Sequence, residues 1–261
     1  MMGKSLMKYN GGAWKDFVQS KFVGRKWIMR LMLLYGVNCT KDIWEYINPY
    51  LRNFEIDYVE YPHEVTLSAK KVDDITKWVY KNYGHHCYDA IVGHSLGGII
   101  ALQLIAKYKM KVDKIIYLDT NLKPANEFYR NLMTQKNMER YGNSILQMLS
   151  EEREFYTSEL LQSIQVDFDY TNLVNEIPQD IYAIYGDRGM PEYPAKVQDL
   201  NLSDQVLNNL KLVFIRDSCH MIMVENPKQL SEVMKSILLI PVCREKRHKS
   251  WTCSFSPYRL E

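Results

Sequence analysis

Gly93-His94-Ser95-Leu96-Gly97-Gly98 is the stretch of this 261-residue chain whose residue types and spacing point most directly to chemistry. It fits G-x-S-x-G, follows the β-prone run 88–92 and precedes the apolar, helix-patterned run 96–108. A serine on a sharp strand-to-helix turn carries its hydroxyl clear of the sheet. Such a turn needs small neighbours, and Gly93 and Gly97 supply them. At the helix start the Leu96 N–H has no intrahelical acceptor, and the helix dipole favours negative charge there. The pattern suits a nucleophile that attacks a carbonyl while an oxyanion develops beside Leu96.

A parallel sheet with crossover helices is what could hold such a turn, and the rest of the chain is patterned accordingly. Runs 27–35, 54–61, 88–92, 112–118, 181–185 and 212–215 are rich in β-branched, aromatic and other apolar residues and predict strands. Residues 65–83 have the spacing of an amphipathic helix, 96–108 form a strongly apolar one, and a last helix starts at Pro227 and runs to about 239. The alternation breaks between 124 and 177, a helical stretch with no strand pattern that contains Phe128, Tyr129, Met133, Tyr141, Met148, Phe155 and Phe168. It is expected to be a helical cap whose inner side lines a pocket. The organisation predicted is thus a core of 1–123 and 178–240, a cap of 124–177, and a basic tail of 241–261, disordered or introduced by cloning.

On these residues the chain resembles the α/β-hydrolase-fold serine hydrolases over about 27–239. A second motif, Ser218-Cys219-His220-Met221 followed by Glu225-Asn226-Pro227, lies where that family carries its catalytic histidine, 125 residues after Ser95. The resemblance implies His220 as the base. Tyr35-Gly36-Val37-Asn38 resembles the family's oxyanion loop, with tyrosine in place of the usual histidine, and implies the Val37 N–H as a second oxyanion donor beside that of Leu96. Many relatives place the acid in a Gly-x-x-Asp pattern after the fifth strand. Here that stretch reads Gly186-Asp187-Arg188-Gly189, so the usual acid position holds Gly189. A minority take the acid one strand earlier, where this chain reads Asp119-Thr120-Asn121-Leu122. Asp119 is the first choice for the acid and Asp187 the alternative.

Composition narrows the partners. Lys and Arg number 33 against 31 Asp and Glu, a net charge of +2, so a nucleic-acid binder that neutralises phosphates is excluded. The charge is unevenly placed. The segment 241–261 holds five cations and two acids, whereas 124–177 holds nine acids and four bases. That acidic cap argues against polyanionic substrates such as acyl-CoA. Five cysteines at scattered spacings, without a CxxC pair, indicate neither a zinc site nor a redox motif. Residues 1–23 lack a signal-peptide core, and no apolar run is long enough for a membrane span. A soluble, cytoplasmic protein is expected.

The resemblance implies acyl transfer to water through Ser95, His220 and an acid, with no metal and no organic cofactor. The expected substrate is a carboxylic ester with an apolar part. A thioesterase or a hydrolase of C–C bonds would use the same machinery, and the fold also serves as a non-catalytic small-molecule receptor.

Overall fold

A computed structural model describes residues 28–124 and 126–241. Trp27, the start of the first expected strand, lies outside the described residues, as do the N-terminal segment before it and nearly all of the basic tail.

The strands are β1 (Arg30–Leu34), β2 (Glu55–Tyr58), β3 (Tyr88–His94), β4 (Val112–Leu118), β5 (Asp180–Gly186) and β6 (Leu210–Ile215). They form one six-stranded sheet in the order β2-β1-β3-β4-β5-β6, parallel at every pairing. The central strands carry apolar runs at 31–34, 90–92, 115–118 and 181–185, as strands covered on both faces require. Leu31, Met32, Leu33 and Leu34 of β1 and Ile91 and Val92 of β3 are fully buried. From β1 the chain steps outward to β2, then returns across β1 to β3. That reversal opens a crevice at the carboxyl ends of β1 and β3, the usual ligand position in open parallel sheets.

The helices are α1 (His63–Thr66), α2 (Val72–Tyr83), α3 (Leu96–Ala106), α4 (Gln135–Glu152), α5 (Ser158–Gln165), α6 (Thr171–Asn175), α7 (Asp204–Asn208), α8 (Ile222–Glu225) and α9 (Pro227–Leu239). α3 is buried along its whole length, as its sequence, apolar but for Gln103, requires. Its Gln103 finds a partner in Thr76 of α2, with an Oγ1–Oε1 separation of 2.6 Å. The buried Lys114 of β4 donates its ammonium to the Leu238 and Ile240 carbonyls, satisfying the end of α9.

The single helix expected over 65–83 is two helices. Ser68 Oγ bonds back to the Glu64 and Val65 carbonyls, and Asp74 Oδ2 accepts the Lys70 and Lys71 N–H groups, so one helix closes and another is capped within five residues. Between β4 and β5 the described residues form α4, α5, α6 and two short 3₁₀ turns, with no strand. This segment packs on the body: Ile145, Leu160, Leu161, Leu173 and Val174 join the same apolar cluster as the sheet. Phe155 stacks on His63, and Tyr141 meets Tyr46 edge to face.

Candidate active site

Each residue singled out in the sequence except Leu96 follows the carboxyl end of a strand, and Leu96 opens the helix after β3. Ser95 joins β3 directly to α3 with φ 52° and ψ −118°. A non-glycine residue held at positive φ stores about 1–3 kcal/mol, so the surroundings must enforce the turn. They do so partly by close backbone approach. A Cβ on Gly97 would lie 2.3 Å from the Leu34 carbonyl oxygen. Thr120 Oγ1 donates to the Ser95 carbonyl at 3.0 Å, tying the turn to the end of β4.

The loop after β1 passes beside this turn. A Cβ on Gly36 would come within 2.9 Å of Ser95 Cβ, so only glycine lets the loop run so close. Tyr35 is fixed by Tyr61: its hydroxyl accepts the Tyr61 N–H at 2.8 Å, and the Tyr61 hydroxyl donates to the Tyr35 carbonyl at 3.3 Å. Burial pushes the Tyr35 phenol well above its usual range, so it remains a neutral brace. Among the described residues, neither the Val37 nor the Leu96 N–H is paired with a backbone carbonyl.

Asp119, at the end of β4, is fully buried and has φ 43°. Its Oδ1 lies 3.1 Å from His220 Nδ1. Arg188 grips the same carboxylate with both guanidinium nitrogens, Nη1 to Oδ2 and Nη2 to Oδ1, each at 2.6 Å. The Gly186 N–H adds a bond to Oδ2 at 3.0 Å. Burial alone would raise the Asp119 pKa, but the Arg188 charge and the His220 and Arg188 hydrogen bonds outweigh it and hold the carboxyl well below the usual carboxylate range.

Asp187 is placed differently. Its Oδ1 accepts the Gly189 N–H at 2.9 Å and the Asp217 N–H at 2.8 Å, closing the turns after β5 and β6. His220 meets Asp119. Arg188, the neighbour of Asp187, turns inward and pairs with Asp119 instead.

His220 sits in the loop between β6 and α8, with its side chain 26% exposed. The loop is held from three directions. The His220 N–H donates to the Leu132 carbonyl at 3.0 Å. Glu225 accepts the Cys219 N–H at 2.6 Å with one carboxylate oxygen and the Thr134 N–H at 2.7 Å with the other. His94 Nε2 donates to the His220 carbonyl at 3.1 Å. Arg188, Glu225 and His94 lie within the motifs singled out but carry none of the expected chemistry, so motif reasoning gives them no role. The available signal is physical: a buried charge needs a partner, and Arg188 lies beside the position where an acid is missing.

Ser95, Leu96, Asp119 and His220 line one cleft of about 360 Å³. Ile99, Pro124, Ile164 and Phe168 give it apolar walls, and Asn121, Arg130 and Gln165 add polar groups. None of the nine acids counted in the segment 124–177 lines it, and the segment's charged contribution is Arg130. Among the described residues no cluster of three or more His, Cys, Asp or Glu side chains is placed to hold a metal, and no helix is long and apolar enough to cross a membrane.

No family model matches the chain, and no curated protein matches it by sequence. Solved structures do match. An N-acyl homoserine lactone degrading enzyme superposes with a TM-score of 0.62 at 13% identity, over 80% of this chain and 92% of that one. An esterase from a Rhodococcus species gives 0.61 at 12% identity, over 82% and 92%. The enol-lactonase from Burkholderia xenovorans gives 0.60 at 14% identity, over 81% and 91%. With its parallel sheet and the serine turn at the crevice, this chain has the α/β-hydrolase fold.

Proposed function

We propose that the chain is a serine hydrolase that cleaves a carboxylic ester with an apolar part, using Ser95, His220 and Asp119. The observation that carries this reading is the 3.1 Å contact between Asp119 and His220, brought from two different strand ends into the cleft that Ser95 lines. An ionised Asp119 accepts the hydrogen bond of the His220 Nδ1–H and leaves Nε2 as the basic position. That nitrogen takes the Ser95 proton as Oγ attacks the ester carbonyl. The tetrahedral oxyanion is held by the Val37 and Leu96 N–H groups, each contributing roughly 10²–10³ in rate. His220 then protonates the leaving alcohol, and water repeats the sequence on the acyl-enzyme.

The apolar walls favour a hydrocarbon acyl or alcohol part, and a cleft of about 360 Å³ favours a small one. Lactones are cyclic esters and belong to the same reaction class. Two of the similar structures are named as lactone-degrading enzymes, which supports testing them as substrates. The direct test is labelling with a fluorophosphonate probe. Wild type should label at Ser95, and Ser95→Ala should not. An unlabelled wild type that still binds a small ligand would make the protein a receptor.

A further inference from the structure

Resting on that reading, we infer that Arg188 is a positioning residue of the reaction, whose forked, buried guanidinium fixes the Asp119 carboxylate beneath His220 and keeps it ionised.

The geometry goes beyond an ordinary ion pair. Arg188 and Asp119 have side chains with no exposure at all. Two parallel bonds of 2.6 Å set the plane of the carboxylate, and Gly186 N–H and His220 Nδ1 take the remaining acceptor sites. A carboxylate so filled cannot rotate away from the imidazole. The other donors of Arg188 reach the carbonyls of Gly186, Phe128 and Tyr129, and its guanidinium lies 4.5 Å from the centre of the Tyr129 ring. Tyr129 also lines the cleft, so one side chain joins the acid to the cleft wall.

The backbone at both partners is unusual. Asp119 has φ 43° and Arg188 φ 58°, the left-handed region that non-glycine residues rarely occupy. The chain adopts that conformation at the ends of adjacent strands, and the two side chains meet.

Charge is the second part. The titratable groups around Asp119 are His220, His94, Cys219, Tyr129 and Tyr185. Burial lowers His94 to about 3 and pushes Cys219 up to about 12, while both tyrosines are raised by burial above their ordinary value. Those four are neutral near pH 7, so Arg188 is the permanent cation that offsets the cost of burying the carboxylate.

The test compares wild type, Arg188→Gln and Arg188→Lys in the pH dependence of kcat/KM for a nitrophenyl ester and of fluorophosphonate labelling. With Gln, burial of Asp119 goes uncompensated, so the acidic limb should move up by about one unit or more, with a roughly 10²-fold loss near neutrality. With Lys, the cation stays and the fork is lost, so the limb should stay within a few tenths of a unit while kcat falls about tenfold at unchanged KM. If Arg188→Gln does not fold, the Lys variant decides: a kcat loss at unchanged KM with a wild-type urea midpoint supports the inference, whereas wild-type kcat, or a kcat loss that comes with a lowered midpoint, overturns it. Equal losses at every pH in both variants, with no limb displaced, would reduce Arg188 to a structural pair and overturn it too. Wild type that fails to label overturns the hydrolase reading and this inference together, whereas wild-type rates in both Arg188 variants overturn this inference alone.

Discussion

His94 Nε2 donates a hydrogen bond to the main-chain carbonyl of His220 at 3.1 Å, and the two rings lie 4.7 Å apart. A carbonyl can only accept, so the His94 proton is on Nε2 and Nδ1 is bare. That Nδ1 is buried and has no hydrogen-bond partner among the described residues. The residue before the proposed nucleophile thereby holds the loop of the proposed base. Gln places an amide N–H near the position of Nε2, whereas Leu cannot donate. His94→Leu should lower kcat/KM about tenfold, the worth of a hydrogen bond of roughly 1–1.5 kcal/mol. His94→Gln should recover most of it. Equal losses in the two variants would assign the effect to packing instead.

The same histidine sets a pH dependence of stability. Burial, then the nearby His220, lowers its pKa from 6.5 to about 3. Between those values the unfolded chain binds a proton that the folded chain refuses, so this contribution is complete above 6.5 and is lost as pH falls toward 3. Asp119 acts in the same direction below its ordinary 3.8, because its native pKa is depressed. Urea midpoints of wild type should therefore drop steadily from about pH 6 to pH 4, and His94→Gln should flatten that slope. A slope unchanged by the substitution would trace it to other groups.

How much of this was legible in the sequence depends on the range over which each feature is encoded. The turn at Ser95 is local: a strand pattern, two glycines and an apolar helix specify it within some twenty residues, and so did Pro227 for the start of α9. The break between α1 and α2 is also local, yet it rests on Ser68 and Asp74 side chains bonding to backbone, which hydrophobic spacing does not report. The Arg188–Asp119 pair spans 69 residues and two strand ends, so no window of sequence contains it. The acidity of segment 124–177 was countable, but which of its side chains line the cleft was not: none of its nine acids does, and Arg130 does.

Asp119 and Asp187 should separate cleanly by substitution. Asp119→Asn removes the acceptor for His220 Nδ1–H and should cost roughly 10⁴ in kcat. It also leaves Arg188 buried without its counter-ion, which should lower stability by about 3–5 kcal/mol. Asp187→Asn retains one amide oxygen to accept from Gly189 and Asp217, so stability should fall by about 1 kcal/mol and kcat by less than tenfold. Hydrolysis rates and urea titrations of both variants check this. A larger kcat loss in Asp187→Asn would transfer the acid role to it.

Cleft size predicts chain-length selectivity. At about 360 Å³ the cleft lies near the lower end of the range of small-molecule sites, roughly 300–1,000 Å³. Each methylene buried between Ile99, Ile164 and Phe168 should contribute about 0.8 kcal/mol, close to fourfold in kcat/KM, until the walls are met. Longer acyl chains must then displace side chains, and the rate should fall. A nitrophenyl ester series should therefore peak at a short chain. Ile164 and Phe168 come from the segment between β4 and β5, outside the Ser95 turn and the His220 loop, so Phe168→Ala should widen the cleft without disturbing either. The optimum should shift toward longer chains while labelling of Ser95 by a small fluorophosphonate proceeds at the wild-type rate. A series that rises monotonically with chain length in both proteins would mean that the acyl group lies outside this cleft.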